Sequence, residues 1–337
     1  MTGVIHFRAF RNDDPEDLAA LWNRGVPEYG TARPLTGHEF DTHVLAKPNF
    51  EAEGLIVAER DGRPIGFVHA GFGPDEPVGP PLRLSSGLGT IAMLVVEPGV
   101  EDADLERGLV AEAERYLRRR GATVLFAGGL FPLNPFYWGI YGGSEWAGIL
   151  SAHASFHRAA RRAGYEPMSE TVLLEADLNG LEVRDPRAPL IRRLARLEVV
   201  QDVLPAHWWE ALAIGEYRPT RYRLLAKPDE AELARATTWD MDGFGRLDGK
   251  SRIGLIAVEV AATHRRKGYG RHLIAEILRQ ARAEHVAAVA VQTSATNLAA
   301  LNLYKALGFR RVEESILYRL PSEPERGSAR VLAGTLG

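Results

Sequence analysis

Residues 265–271 read Arg-Arg-Lys-Gly-Tyr-Gly-Arg, with four cations gathered around two glycines. The run before them, Leu255 to Val260, is rich in β-branched apolar residues and has strand length. After them, Leu273, Ile274, Ile277, Leu278 and Ala281 recur at helical spacing. A strand that feeds a glycine-containing turn opening a helix is an anion cradle. Gly268 and Gly270 let the backbone come close, and the amides of residues 266–271 at the helix start lack intrahelical partners. With Arg265, Arg266, Lys267 and Arg271 alongside, a phosphate or pyrophosphate is the expected ligand. A Walker loop is excluded, because no G-x-x-x-x-G-K-[ST] is present. A dinucleotide fingerprint is excluded too, because Leu273 stands where its third glycine belongs.

The residues after the turn extend the pattern. A second strand, Val286 to Gln292, is followed by Asn297, Ala300, Tyr304 and Gly308-Phe309. Arg-x-x-Gly-x-Gly after a strand, then a strand and an Asn-x-x-Ala-x-x-x-Tyr helix ending in Gly-Phe, resembles the GNAT superfamily of N-acetyltransferases. The resemblance implies acetyl-CoA as cosubstrate and an amine acceptor, either a small molecule or a peptide. It implies that the turn, Tyr269 included, holds the pyrophosphate. It also implies that the backbone of Val258 and Val260 holds the pantetheine, that Asn297 contacts the cofactor, and that Tyr304 gives the leaving sulfur its proton. Tyr304 can equally be a core aromatic, packed with Leu301 and Leu307. Glu259, a carboxylate inside an apolar strand, is the first candidate for the base that deprotonates the amine. It can also serve as an ion-pair partner of Arg252 or His264. Asp240 and Asp242 are further candidates, or loop caps.

The chain has 337 residues, a length suited to two domains. Apolar content of 45% and charged content of 25% mark a soluble globular protein. A net charge of −3 argues against a nucleic-acid binder. No apolar run is long enough to span a membrane and no signal-peptide core opens the chain, so a cytoplasmic location is expected. There are no cysteines, which rules out disulfides and a cysteine acyl-enzyme. The ten histidines show no metal spacing, and no metal is expected.

Upstream, the same elements come in the same order. Strand signals at 5–10, 54–59, 64–70, 91–96 and 122–127 enclose helices beginning at Asp14-Pro15, with Asp14 as N-cap, and at Leu105. Asp61-Gly62 marks a hairpin, and residues 73–89 read as loop. Adding 164 places Val96 on Val260 and Leu109-Val110-Ala111-Glu112 on Leu273-Ile274-Ala275-Glu276. An offset of 144 is needed to place Gly164-Tyr165 on Gly308-Phe309, so about 20 extra residues stand within 128–150. The expected fold is therefore α/β (α+β): two tandem GNAT-like domains, each a mixed, mostly antiparallel sheet flanked by helices. The first spans 1–179, with the insertion at 128–150; the second spans 180–320; residues 321–337 form a mobile tail. Thr171 to Leu178 closes the first copy, and Arg192 to Val203 reads as helix.

The first copy has lost the cradle. Glu101, Asp102, Asp104 and Glu106 stand at the positions of Arg265, Arg266, Gly268 and Gly270, and Ala160 stands at that of Tyr304. A pyrophosphate there would meet carboxylates, so the first copy is expected to be a structural half; the alternative is that it holds CoA in another way. Aromatic residues at 137, 138, 141, 146, 208, 209 and 239 pack as core or line a cleft between the domains. The functional alternatives are an acetyltransferase working in the second domain and a non-catalytic CoA-binding or sensor module.

Overall fold

The computed structural model describes residues 3–322 except 48, 75–83, 101, 130–133, 135, 205–210, 212–216 and 245–247. Glu101, Trp208, Trp209 and the tail beyond 322 lie outside the described residues. The first half comprises β1 (Ile5–Ala9), α1 (Pro15–Gly25), α2 (Gly37–Phe40), β2 (Leu55–Arg60), β3 (Arg63–Pro74), β4 (Leu84–Val96), α3 (Ala103–Arg119), β5 (Val124–Ala127), β6 (Ile149–Leu150), α4 (Ala154–Arg162) and β7 (Glu166–Asp177). The second comprises α5 (Ala188–Leu194), β8 (Ala195–Val200), β9 (Thr220–Ala226), β10 (Glu232–Asp240), β11 (Arg252–Val260), α6 (Tyr269–Ala283), β12 (Ala288–Ser294), α7 (Leu298–Ala306) and β13 (Arg310–Arg319).

The 13 strands among the described residues belong to one sheet, ordered β1-β2-β3-β4-β5-β13-β7-β12-β11-β10-β9-β8, with β6 also paired to β13. Most neighbours are antiparallel; β4 with β5 and β11 with β12 are parallel. The two terminal strands are exchanged between the halves. β13, the last strand among the described residues, pairs with β5, while β7 pairs with β12 along seven residues from Ala288 to Ser294. β7 and β13 pair with each other at the centre. The strand expected to close the first copy thus closes the second one's sheet as well.

Side chains alternate across the strands and build a core on each face. Leu55, Val57, Met93, Val95, Leu173, Ile256 and Ala290 point to one face, where they meet α1, α2 and the loop carrying Tyr137, Trp138, Tyr141 and Trp146. Trp239, Met241 and Phe244 of the second half join this same cluster, so these aromatics are packing between halves. On the other face, α3 and α4 cover the first half and α5, α6 and α7 the second.

Three local readings change. Residues 84–89 extend β4 instead of forming loop, because they pair with β3 and β5. Helix is confined to α5, and Ala195 to Val200 is a strand laid against β9. Asp14 stands before α1 but does not cap it; its carboxylate takes two hydrogen bonds from Arg8, at 2.8 and 2.7 Å.

Candidate active site

The sheet opens in the second half. β11 and β12 pair in parallel from Arg252–Ala288 to Leu255–Val291 and then separate. A bulge in β11 against β10, with Ala257 at φ 50°, turns the strand at the point of separation. The backbone of residues 256–260 therefore pairs with β10 on one side only. The gap is a cavity of about 1040 Å³, bounded by β11, the 264–271 turn, β12 and α7.

At its mouth stands the glycine turn. α6 begins after Gly268, which has φ +95° and no side-chain cap on the helix. Arg266, two residues earlier, is also left-handed at φ 61°. The first amides of α6 are thus free for an anion, and the helix dipole favours one. A Cβ on Gly270 would lie 3.0 Å from Val260 Cγ2, so glycine keeps the turn close to the strand. These residues fit a CoA pyrophosphate, the group that the sequence assigned to them.

The cations around the turn differ in their engagements. Arg265 Nε donates to the Val260 carbonyl at 3.2 Å, and Arg271 donates to the Arg184 carbonyl. Arg266 and Lys267 are exposed. A further cation comes from the connection between halves: Arg187 Nη1 donates to the Lys267 carbonyl at 3.0 Å. That connection lies along α6, fixed by Arg279 on the Val183 carbonyl and by a 2.6 Å contact between the buried groups of His272 and Asp185. Sequence spacing could not show Arg187, which stands 80 residues before its partner.

Val258, Val260 and Tyr269 are partly buried against the α6 core and line the cavity. Asn297 lines it too, while its side chain accepts from the Ala300 amide at 3.2 Å and so caps α7. Tyr304 packs on Phe309, with ring centres 5.3 Å apart, and is 4% exposed. Its hydroxyl makes no hydrogen bond among the described residues, and the residue lines the cavity. Burial and the nearby Glu145 charge raise its pKa. The ring therefore packs as core, as the alternative reading expected, and the residue also lines the cavity.

Glu259 is exposed, and its carboxylate is held by Arg235 of the neighbouring strand at 2.8 Å, not by Arg252 or His264. Asp242 accepts from the Arg252 amide and Asp240 from the Asp242 amide, as loop caps do.

The carboxylate that sequence reasoning missed is Glu145. It belongs to the first half's 128–150 segment and yet lines the second half's cavity together with Tyr304. Its loop is pinned from the second half. Trp239 Nε1 donates to the Ser144 carbonyl at 3.0 Å, and Gln292 Nε2 donates to the carbonyls of Gly142 and Glu145. The Glu145 carboxylate itself has no hydrogen bond or ion pair among the described residues, and burial pushes its pKa up to about 7. A lone charged residue inside an aromatic-rich insertion was the one available signal.

The first half's equivalent turn is built differently among the described residues. Asp102 caps α3 with its own carboxylate, accepting from the amides of Asp104 and Leu105 at 2.9 and 3.1 Å. Glu106, which the 164-residue offset places at Gly270, is buried and held by Arg158 and Arg162 of α4. Carboxylates and an internal ion network occupy the equivalent of the anion cradle.

The family model for acetyltransferase (GNAT) matches residues 19–141 and 193–309, together more than half of the chain. No curated protein matches it in sequence. A tandem GNAT protein from the clavulanic acid biosynthesis pathway, solved without AcCoA, aligns with a TM-score of 0.66 at 16% identity, covering 95% of this chain and 100% of that one. A GCN5-related glucosamine N-acetyltransferase region of a fungal multi-domain GH3 β-N-acetylglucosaminidase aligns with a TM-score of 0.67 at 16% identity. There the alignment covers 95% of this chain but only 38% of the other. Saccharomyces cerevisiae N-myristoyltransferase with bound myristoyl-CoA aligns at 0.54 and 12% identity, over 95% of this chain and 79% of that one. At these identities the likeness is one of fold.

Proposed function

The chain belongs to the acetyltransferase (GNAT) family, whose chemistry is acyl transfer from a CoA thioester, and from that premise we propose that its second half moves an acetyl group from acetyl-CoA to an amine. The observation that carries this reading is one cavity that joins the uncapped start of α6 to Tyr304 through the gap between β11 and β12. The turn holds the pyrophosphate by its amides and cations. The unpaired backbone of residues 256–260 receives the pantetheine as an added strand. Tyr304 lies where the sulfur leaves and gives it a proton.

Acetyl, rather than a long acyl chain, suits the inner end of the cavity. Where β11 and β12 rejoin, Gln292 and Glu145 stand beside Leu255 and Val291. A carboxylate and a buried amide are a poor lining for a long hydrocarbon. Direct transfer fits a chain without cysteine. The test is release of CoA thiol from acetyl-CoA with a panel of small amines and peptide amino termini. The expected result is amine-dependent release well above buffer hydrolysis. Tight CoA binding with no release for any amine would make the chain a CoA-binding module instead.

A further inference from the structure

We infer that Glu145, supplied by the first half, is the general base of the second half's reaction. The inference rests on the acetyl-transfer reading above and adds to it the group that frees the amine. Three observations carry it. Glu145 and Tyr304 line one cavity, so the group that takes a proton and the group that gives one share the acyl end of the site. The loop that carries Glu145 is held at three backbone carbonyls, those of Gly142, Ser144 and Glu145, by side chains of β10 and β12. The carboxylate, by contrast, serves no structural partner among the described residues. Glu145 is half-buried, and partly desolvating a carboxylate that has no partner costs free energy and stabilises nothing in the fold. A group kept at such a cost beside a reaction centre is a base candidate on physical grounds.

Its surroundings suit the task. The titratable groups sharing the cavity are Tyr304 on α7, Glu259 on β11, and His264, Arg265, Arg266, Tyr269 and Arg271 around the turn. The turn's cations stand at the pyrophosphate end. Glu259 is already engaged by Arg235, and taking a proton would break that ion pair. Burial lifts Glu145 to about 7, close to where a base is both ionised and strong at neutral pH.

The protons and electron pairs then balance. Glu145 takes one proton from the acceptor's ammonium, and the nitrogen lone pair forms the new C–N bond at the thioester carbonyl. The nitrogen gives up its second proton to solvent as the amide forms. The C–S bond breaks, and Tyr304 hands its hydroxyl proton to the leaving sulfur. Glu145 returns its proton to solvent, and Tyr304 regains one from solvent.

The experiment compares wild type, Glu145→Gln and Glu259→Gln with saturating acetyl-CoA and one accepted amine, reading kcat and kcat/KM from pH 5.5 to 9 beside CoA affinity by calorimetry. Glu145→Gln is near-isosteric and should keep CoA affinity within about threefold. Its kcat should fall on the order of 100-fold or more, the range for a positioned base, and the rising limb near pH 7 should disappear. Retention of kcat and of that limb in Glu145→Gln would overturn the inference and leave acetyl transfer standing, as would their loss in Glu259→Gln alone. A wild-type chain that transfers to no amine would refute the acetyl-transfer reading itself, and the base assignment with it. If Glu145→Gln loses CoA affinity together with kcat, the residue only shapes the cavity and the inference fails.

Discussion

Gly270→Glu would rebuild in the second half what the first half already has, a carboxylate in the first turn of the covering helix. Glu106 is tolerated there because Arg158 and Arg162 hold it at 2.5 and 3.0 Å. The 144-residue offset puts Asn302 and Ala306 at those two positions in α7, so a glutamate at 270 would find no matching pair of cations. It would repel the pyrophosphate, or draw away a cation of the turn; both weaken CoA. One like-charge pair at about 4 Å is worth about 4 kcal/mol at an effective dielectric near 20. Side-chain freedom and salt reduce this to about 2–3 kcal/mol, or about 30- to 150-fold in Kd. Gly270→Ala is the control for shape, since its Cβ would press on Val260 Cγ2 at 3.0 Å without adding charge. The helix should survive the glutamate, because acidic side chains favour a helix N-terminus. Calorimetry of CoA against the three proteins, at low and high salt, reads the difference. A Gly270→Glu Kd within threefold of Gly270→Ala, or a gap that does not shrink with salt, would refute the anion-cradle reasoning.

Tyr304→Phe keeps the packing on Phe309 and removes only the hydroxyl. Turnover should fall about 10- to 1,000-fold with CoA affinity nearly unchanged, and an unchanged kcat would return Tyr304 to the core. CoA titrated into the whole chain should saturate at one site, because Asp102 and the Glu106 network fill the first half's turn; two sites of similar affinity would contradict this. Buried His69 is held neutral, with a pKa of about 3. The unfolded chain therefore binds more protons below about pH 6.5, and stability should fall as pH drops from there toward 3. This single group accounts for about 2 kcal/mol of loss by pH 5. Urea unfolding of wild type and His69→Leu at pH 7 and 5 should show the variant's pH slope to be smaller by that amount.

The turn was legible because everything that makes it is local. Two glycines two residues apart, a β-branched run before them and an apolar helical face after them lie within about 30 residues. β8 was not. Ala195 to Val200 follows a helical, basic stretch and is a little-buried edge strand, so its own alternation is faint, and its pairing with β9 decides. Residues 84–89 were lost for a similar reason, since their serines and glycines carry no strand propensity and β3 and β5 hold them by backbone bonds. The place of Glu145 beside the second half's cavity was not legible, because it depends on Tyr304, far along the chain. Glu259, next to the turn in sequence, pairs with Arg235 of the neighbouring strand, a partner that sequence spacing does not show.

The strand exchange also explains why a half without an anion cradle persists. β12 forms one wall of the cavity, and its other edge is covered by β7, a strand from before the connection between halves. β13, which follows the Tyr304 helix, is in turn held between β7 and β5. A chain beginning after Asp177 would leave β12 with an open edge and would strip Trp239 and Ile256 of the aromatic loop they pack on. Open edges and uncovered apolar faces invite misassembly, which makes the first half a physical requirement of the second. The same segment that covers Trp239 also carries Glu145. Once the loop had been fixed for packing, one side chain on it was already aimed at the cavity. A carboxylate there needs no further backbone to position it, so under the proposal above the first half would contribute to the chemistry of the second through a loop it already needs for packing.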